Sequence, residues 1–287
     1  MKIEENFDLT DYNSYRIKSK CKRAFLPETE QDFVDLFTNF PSEDDKIILG
    51  GGYNVILSKD YYHRDFLLIG ESFSKVSISE DGVIEAEAGI DIKLLSELAR
   101  DHSLSGLEIF YDIPSSLGGA VVMNAGAGGE DIKGVLIKVR YLDLQDLTIK
   151  EILKEDIGFE YRNSFFQKNT DKVVLKVWLQ LQRGNQADIT SKMENTKAAR
   201  WAKQPKDLPN AGSVFKRPKG HFVGPMIEGL GLKGFAIGGA KISEKHAGFV
   251  VNFNNATGDD ILRLIRDVQR KVLDNFGIEL EIEQRII

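Results

Sequence analysis

The 287-residue chain has a single cysteine, Cys21, and only four histidines. One thiol excludes an intrachain disulfide and fits a reducing compartment. His63, His102, His221 and His246 show no metal-ligand spacing, so no metal site is expected. Basic charge is scarce as well: 38 Lys and Arg against 44 Asp and Glu leave a net charge of −6. That balance disfavours nucleic acid and anionic membrane as partners. Long apolar runs are missing, and no stretch approaches the ~18 residues of a membrane span. The stretch "MKIEENFDLTDYNSY" carries no apolar core of signal-peptide length. A cytoplasmic location is expected.

What is present reads as an ordinary globular chain, 42% hydrophobic and 29% charged. The length suits two domains or one large multi-lobed unit. Glu28 to Phe37 reads as a helix with Thr29 as its N-cap. "KIILGGG" reads as a buried strand running into a loop. "VSISEDGVIEAEAG" reads as a hairpin turning at Asp81-Gly82. Ile90 to His102 is expected to be an amphipathic helix with Leu94, Leu95 and Leu98 on one side. Val135 to Leu144 and Val173 to Gln182 read as strands, the second with an apolar residue at every second position. Asp259 to Phe276 reads as a helix striped by Ile261, Ile265, Val268, Val272 and Phe276, with Gly277 ending it. "IELEIEQRII" reads as a closing strand with Glu281, Glu283 and Arg285 on one face. The mixture is neither strict βαβα nor all-β, which points to the α+β class.

Two glycine clusters stand out. One is "LGGGYN", residues 49 to 54. The other is "IPSSLGGAVVMNAGAGGE", residues 113 to 130, which surrounds Asn124. Glycine lets backbone N–H groups approach an anion directly, and two such loops suggest a ligand with a pyrophosphate. Neither loop matches the Rossmann or P-loop spacing; tight turns alone remain the bland alternative. "EYRNSF" contains Arg162, whose fork suits a carboxylate or phosphate or simply a surface ion pair. Ser213 in "NAGSVFKRP" follows a glycine but lacks the nucleophile-elbow pattern, and a turn hydroxyl is the favoured reading on these residues alone. His246 is more readily a packed or exposed side chain than a catalytic one.

These motifs occur in one order along the chain: "LGGGYN", "SGLEIFYDIPSSLGGAVVMNAGAGGE", "EYRNSFF", "NAGSVFKRPKGHFVGPMIEGLGLKGFAIGGAKISEKHAGFVVN" and "FGIELEIEQRII". Together they resemble the UDP-N-acetylenolpyruvoylglucosamine reductase (MurB) family, flavoenzymes of peptidoglycan synthesis, from about Tyr15 to Ile287. The resemblance implies an FAD-binding fold of the vanillyl-alcohol-oxidase (PCMH) type, made of two α+β lobes, plus a C-terminal α+β substrate domain. The expected division is 1-70 and 71-205 for the lobes and 206-287 for the substrate domain, whose last strand could return to the second lobe. The short span between Arg162 and Ser213 resembles the second, shorter type of the family, with a more open cleft.

The resemblance implies Arg162, Ser213 and Glu283 as the catalytic trio. It implies noncovalent FAD held by Gly50, Gly51, Gly52, Tyr53 and Asn54 in the first loop. In the second loop it implies Pro114, Ser115, Ser116, Gly118, Gly119, Ala120, Asn124, Ala125 and Gly126. The substrate would be UDP-N-acetylglucosamine enolpyruvate and the co-substrate NADPH, with Tyr161, Lys216, Arg217 and Lys233 as candidate substrate contacts; the three cations could equally be solvated surface charges. Hydride would reach C3 of the enolpyruvyl group from the flavin, and Ser213 would protonate C2. A monomer or weak oligomer is expected. Three departures lie in the flavin half: the family commonly has serine at Tyr53, a glycine pair at Lys18-Ser19 and glycine at Ser115. A flavin-dependent oxidase on the same fold, or a catalytically inactive flavin or nucleotide-sugar binding paralogue, are the alternatives.

Overall fold

The computed structural model describes residues 1–41 and 45–287. The chain forms two compact units, each assembled from three segments. The first unit comprises Met1–Glu5, Arg23–Gly51 and Arg64–Ala199; the second comprises Asn6–Lys22, Gly52–His63 and Arg200–Ile287.

The first unit is built on an antiparallel five-stranded sheet. Its order is Thr148–Leu153, Leu136–Asp143, Lys172–Gln180, Val83–Glu87, Val76–Ile78. Alternation along Lys172–Gln180 puts Val173, Leu175, Val177 and Leu179 into the core, as period two requires of a half-buried strand. The opposite face carries Lys176 and Trp178, both bonded to Glu85. The last two strands form the expected hairpin, with Gly82 at φ 82 in its turn. Only glycine takes that backbone conformation without strain.

Helix α1 (Glu30–Asn39) starts on a capping box of Thr29 and Asp32. It buries Phe33 and Leu36, and Phe33 meets Phe73 edge-on at 4.9 Å. Helix α2 (Ile92–Asp101) is capped by Asp91 and buries Ile92, Leu95, Ser96 and Ala99. Leu94, expected on its apolar face, is exposed. The buried stripe here turns through Ser96, whose hydroxyl is satisfied by the Ile92 and Leu107 carbonyls. Helix α3 (Leu117–Met123) follows the serine pair. A Cβ on Gly118 would stand 2.9 Å from the Ala88 Cβ, so glycine here lets α3 lie flat on that residue. Short helix α4 (Phe165–Lys168) and the long helix α5 (Gln186–Lys203) come after it in the chain.

The second unit contains the antiparallel sheet Ala236–Ile237, Ala240–Ile242, Val250–Asn252. Helices α6 (Val223–Gly229) and α7 (Gly258–Phe276) complete it. Helix α7 has a Thr257–Asp260 capping box and Gly277 at φ 66 as its terminator. Ile261, Leu264, Ile265, Val268 and Val272 are buried, but Phe276 is exposed because the last turn runs past the core. The expected closing strand is mostly absent. Residues 278–287 make one bridge, Ile282 to Phe215, and one short strand, Arg285–Ile286. That strand pairs in parallel with Val55–Ile56 rather than returning to the expected second lobe. No helix among the described residues is long and apolar enough to cross a membrane.

Candidate active site

In the first unit the two glycine loops meet. The Ser116 hydroxyl accepts long bonds from the Gly51 N–H at 3.4 Å and the Gly119 N–H at 3.3 Å. A Cβ on Gly50 would strike that oxygen at 2.6 Å, and one on Gly119 would lie 3.2 Å from it. The Ser115 hydroxyl lies 3.5 Å from where that Cβ on Gly119 would stand, but it already donates to the Ser116 carbonyl at 2.8 Å. The Gly51 and Gly119 amides, whose present bonds are long, and the Ser116 hydroxyl form a donor set that could hold a phosphate group.

Other residues of these loops serve the protein itself. The Leu117 and Gly118 amides donate to the Ile90 and Ala88 carbonyls. The Ala120 and Ala125 amides donate to the Ser116 and Ala120 carbonyls, and Pro114 is exposed. Gly52, which belongs to the second unit, is bare for a separate reason. Its φ is 67, and a Cβ would lie within 1.9 Å of the Tyr12 carbonyl oxygen. The run of three glycines thus answers to two requirements. Tyr53, next along, is half-buried.

Arg162 and the second loop also come together in the first unit. The guanidinium donates through Nη2 to the Gly126 carbonyl at 2.9 Å and through Nη1 to the Asn124 carbonyl at 3.4 Å. It also lies 5.3 Å from the centre of the Tyr161 ring, which is exposed. Arg162 holds φ 53, in the left-handed region that non-glycine residues seldom enter.

In the second unit the segment carrying Ser213 runs between the segment carrying Glu283 and the one carrying Gly248 and Phe249. The Val214 N–H donates to the Gly248 carbonyl at 3.0 Å, and the Val214 carbonyl accepts the Glu283 N–H at 2.8 Å. Phe215 bridges Ile282, and Ser213 bridges Phe249. The Ser213 side chain is exposed and Glu283 is half-buried. Asn54 closes the arrangement: its Nδ2 donates to the Glu283 carbonyl at 3.2 Å, while its own carbonyl accepts the Arg285 N–H.

Two residues that the sequence offered no reason to single out support this arrangement. Gln284 is buried, and its Nε2 donates to the carbonyls of Ala211, Gly212 and Ser213 at 3.1, 3.2 and 3.4 Å. Its Oε1 accepts from the Tyr15 hydroxyl at 3.0 Å. Burial pushes the Tyr15 phenol well above its ordinary pKa, so it stays a donor at any working pH. The only available signal was position, a polar residue between Glu283 and Arg285.

The cations expected at the substrate phosphates have partners within the second unit. Lys216 pairs with Glu281 at 2.5 Å and Lys233 with Glu228 at 2.7 Å. The Arg217 guanidinium stacks 3.8 Å above the Phe222 ring. His246 is packed, with Nδ1 accepting the Gly248 N–H at 3.1 Å and the ring edge-on to Phe249. Burial lowers its pKa, which keeps the ring neutral. Among the described residues no group of three or more His, Cys, Asp or Glu could hold a metal ion.

The family model described as UDP-N-acetylenolpyruvoylglucosamine reductase, C-terminal domain, matches residues 204–287, and the FAD binding domain model matches residues 22–149. The UDP-N-acetylenolpyruvoylglucosamine reductase of Francisella tularensis is 40% identical over 99% of this chain and 100% of its own length. That of Syntrophomonas wolfei is 38% identical over 100% and 95%. The chain belongs to the UDP-N-acetylenolpyruvoylglucosamine reductase family. The crystal structure of the Thermus caldophilus enzyme superposes with a TM-score of 0.84 at 30% identity, covering 100% of this chain and 99% of that one. The fold is accordingly the expected α+β, FAD-binding type.

Proposed function

We propose that this chain is the FAD-dependent, NADPH-using reductase that converts UDP-N-acetylglucosamine enolpyruvate to UDP-N-acetylmuramate in peptidoglycan precursor synthesis, and that it works in the cytoplasm. The observation that carries the proposal is the 2.8 Å bond from the Glu283 N–H to the Val214 carbonyl. It lays the segment carrying the Ser213 hydroxyl beside the segment carrying the Glu283 carboxyl, in a chain whose relatives bear this reductase name.

When bound, FAD would supply the hydride-transfer chemistry between NADPH and C3 of the enolpyruvyl group. Arg162 offers its positive fork to the substrate carboxylate, where negative charge grows as C3 is reduced. The carbonyls of Asn124 and Gly126 orient that fork without cancelling its charge. Glu283, in its protonated form, shares the stabilisation at the carboxylate as a hydrogen-bond donor. Ser213, which is exposed, gives its proton to C2, a role worth about 10²- to 10⁴-fold. Gln284 fixes the backbone of Ser213 and leaves its hydroxyl to the substrate.

An anaerobic two-step titration tests this function. The purified protein should show a flavin spectrum, NADPH should bleach it, and the enolpyruvyl substrate should restore it. Failure of the substrate to reoxidise the bleached flavin would refute the assignment, and steady oxygen consumption in its place would favour an oxidase.

A further inference from the structure

Asn124 sits in the glycine loop expected to hold the cofactor, yet its side chain is engaged elsewhere. It ends α3 in the left-handed conformation, at φ 43 and ψ 57, and is 3% exposed. Asparagine is one of the few residues that enters this region readily. One amide hydrogen goes to Asp131 Oδ2 at 3.0 Å and the other to the Glu160 carbonyl at 3.1 Å. The amide oxygen accepts the Lys133 N–H at 3.4 Å. Both donors of the side chain are thus used within the protein.

Two of these bonds, to Glu160 and to Asp131, bear on Arg162. Glu160 and Asn163 close the turn that contains it, through Glu160 N–H to Asn163 carbonyl and Asn163 N–H to Glu160 carbonyl bonds of 3.0 and 3.2 Å. Asn124 therefore grips the backbone of that turn through Glu160. Its own carbonyl and that of Gly126 grip the guanidinium. The bond to Asp131 anchors the hairpin in which Asp131 pairs with Gly126. A strained φ of 53 at Arg162 persists only where its surroundings hold it.

We propose that Asn124 is a positioning residue for Arg162 and not a ligand of the cofactor. The proposal rests on the assignment of Arg162 as the group that stabilises charge on the substrate carboxylate. An aspartate at this position would present an acceptor where two donors are needed. An alanine would leave Asp131 and the Glu160 carbonyl short of a buried partner and would resist the left-handed backbone.

The test uses the holoenzyme and three variants: Asn124→Gly, which keeps the backbone conformation and removes the amide, Arg162→Ala, and the double variant. FAD affinity is measured on the apo-proteins, and the two half-reactions by anaerobic stopped flow. Asn124→Gly should keep FAD affinity and reduction by NADPH within about twofold of wild type, the scatter of independent substitutions. Reoxidation by the enolpyruvyl substrate should slow by about 10- to 100-fold, the cost of misplacing a catalytic group. In the Arg162→Ala background the same change should add less than about twofold. An additive loss in the double variant, or FAD binding weakened by about tenfold or more with normal reoxidation at saturating FAD, overturns the proposal. Wild-type reoxidation by Arg162→Ala would instead overturn the assignment of the arginine, and the role of Asn124 with it. Should Asn124→Gly fold poorly, Asn124→Asp keeps the size and the left-handed preference, and it should show the same split between half-reactions.

Discussion

Side-chain bonds stand out at Arg162 in the first unit and backbone bonds at Ser213 in the second. In the first, Arg162 is tied through its side chain, with two guanidinium nitrogens on the carbonyls of Asn124 and Gly126. In the second, Ser213 and Glu283 are fixed through their backbones, by neighbouring segments, by Gln284 and by Asn54. The chemistry of the groups explains the contrast. A guanidinium has five donors and can spend some on orientation while others meet the substrate. A hydroxyl has one proton, and a protein bond to it would occupy the atom that must be given away. Its backbone is what can be held.

The sharpest way to break this contrast is Ser213→Ala. The flavin should still be bleached by NADPH, while reoxidation by substrate slows by about 10²- to 10⁴-fold. An unchanged reoxidation rate would make the serine structural. Glu283→Gln should show the same split, and full activity would remove Glu283 from the chemistry.

A smaller effect separates the glycines on the two sides of the unit boundary. Gly52→Ala places a Cβ within 1.9 Å of the Tyr12 carbonyl at an unfavourable φ. It should destabilise the protein by about 3 kcal/mol in urea unfolding. Gly51→Val should instead lower FAD affinity in titration of the apo-protein. Equal FAD affinity in Gly51→Val and wild type would reduce the first loop to a turn.

Gln284→Ala comes next. It strips a buried donor from three carbonyls and an acceptor from Tyr15, at a cost of about 1–3 kcal/mol. Activity should fall more than FAD affinity, because the Ser213 backbone loosens. Equal losses in both would show that the glutamine only stabilises the unit.

The smallest effect is a pH dependence. Burial holds the folded pKa of His246 below the 6.5 of a free imidazole. The unfolded chain then binds the proton more readily, so stability from this residue is present above pH 6.5 and lost as pH falls through the folded pKa. Melting curves should show a small fall in stability between neutral and mildly acidic pH. His246→Gln should flatten that part of the profile. A wild-type slope in the variant would assign it to other groups.

Much of this was legible along the chain. The Asp81-Gly82 hairpin, the caps of α1 and α7 and the alternation of Val173 to Leu179 are local patterns with local causes. The errors have one origin. Leu94 and Phe276 fit a helical stripe, but how far a stripe is covered depends on what packs against it. The alternation in "IELEIEQRII" defines two faces, yet a strand exists only where a partner offers a ladder, and here partners reach only Ile282 and Arg285–Ile286.

The sequence by itself determined the family, through five motifs in register, and with it the candidate trio and the cofactor class. Only the tertiary structure decided that each unit is woven from three segments. It also decided that Gly118 packs on Ala88, that Gly52 makes way for Tyr12, and that the loop asparagines hold Glu283 and the Arg162 turn. The reason is physical. Residue type and spacing report which groups a segment can offer, whereas a hydrogen bond between positions far apart in the chain exists only once folding has brought donor and acceptor within about 3 Å.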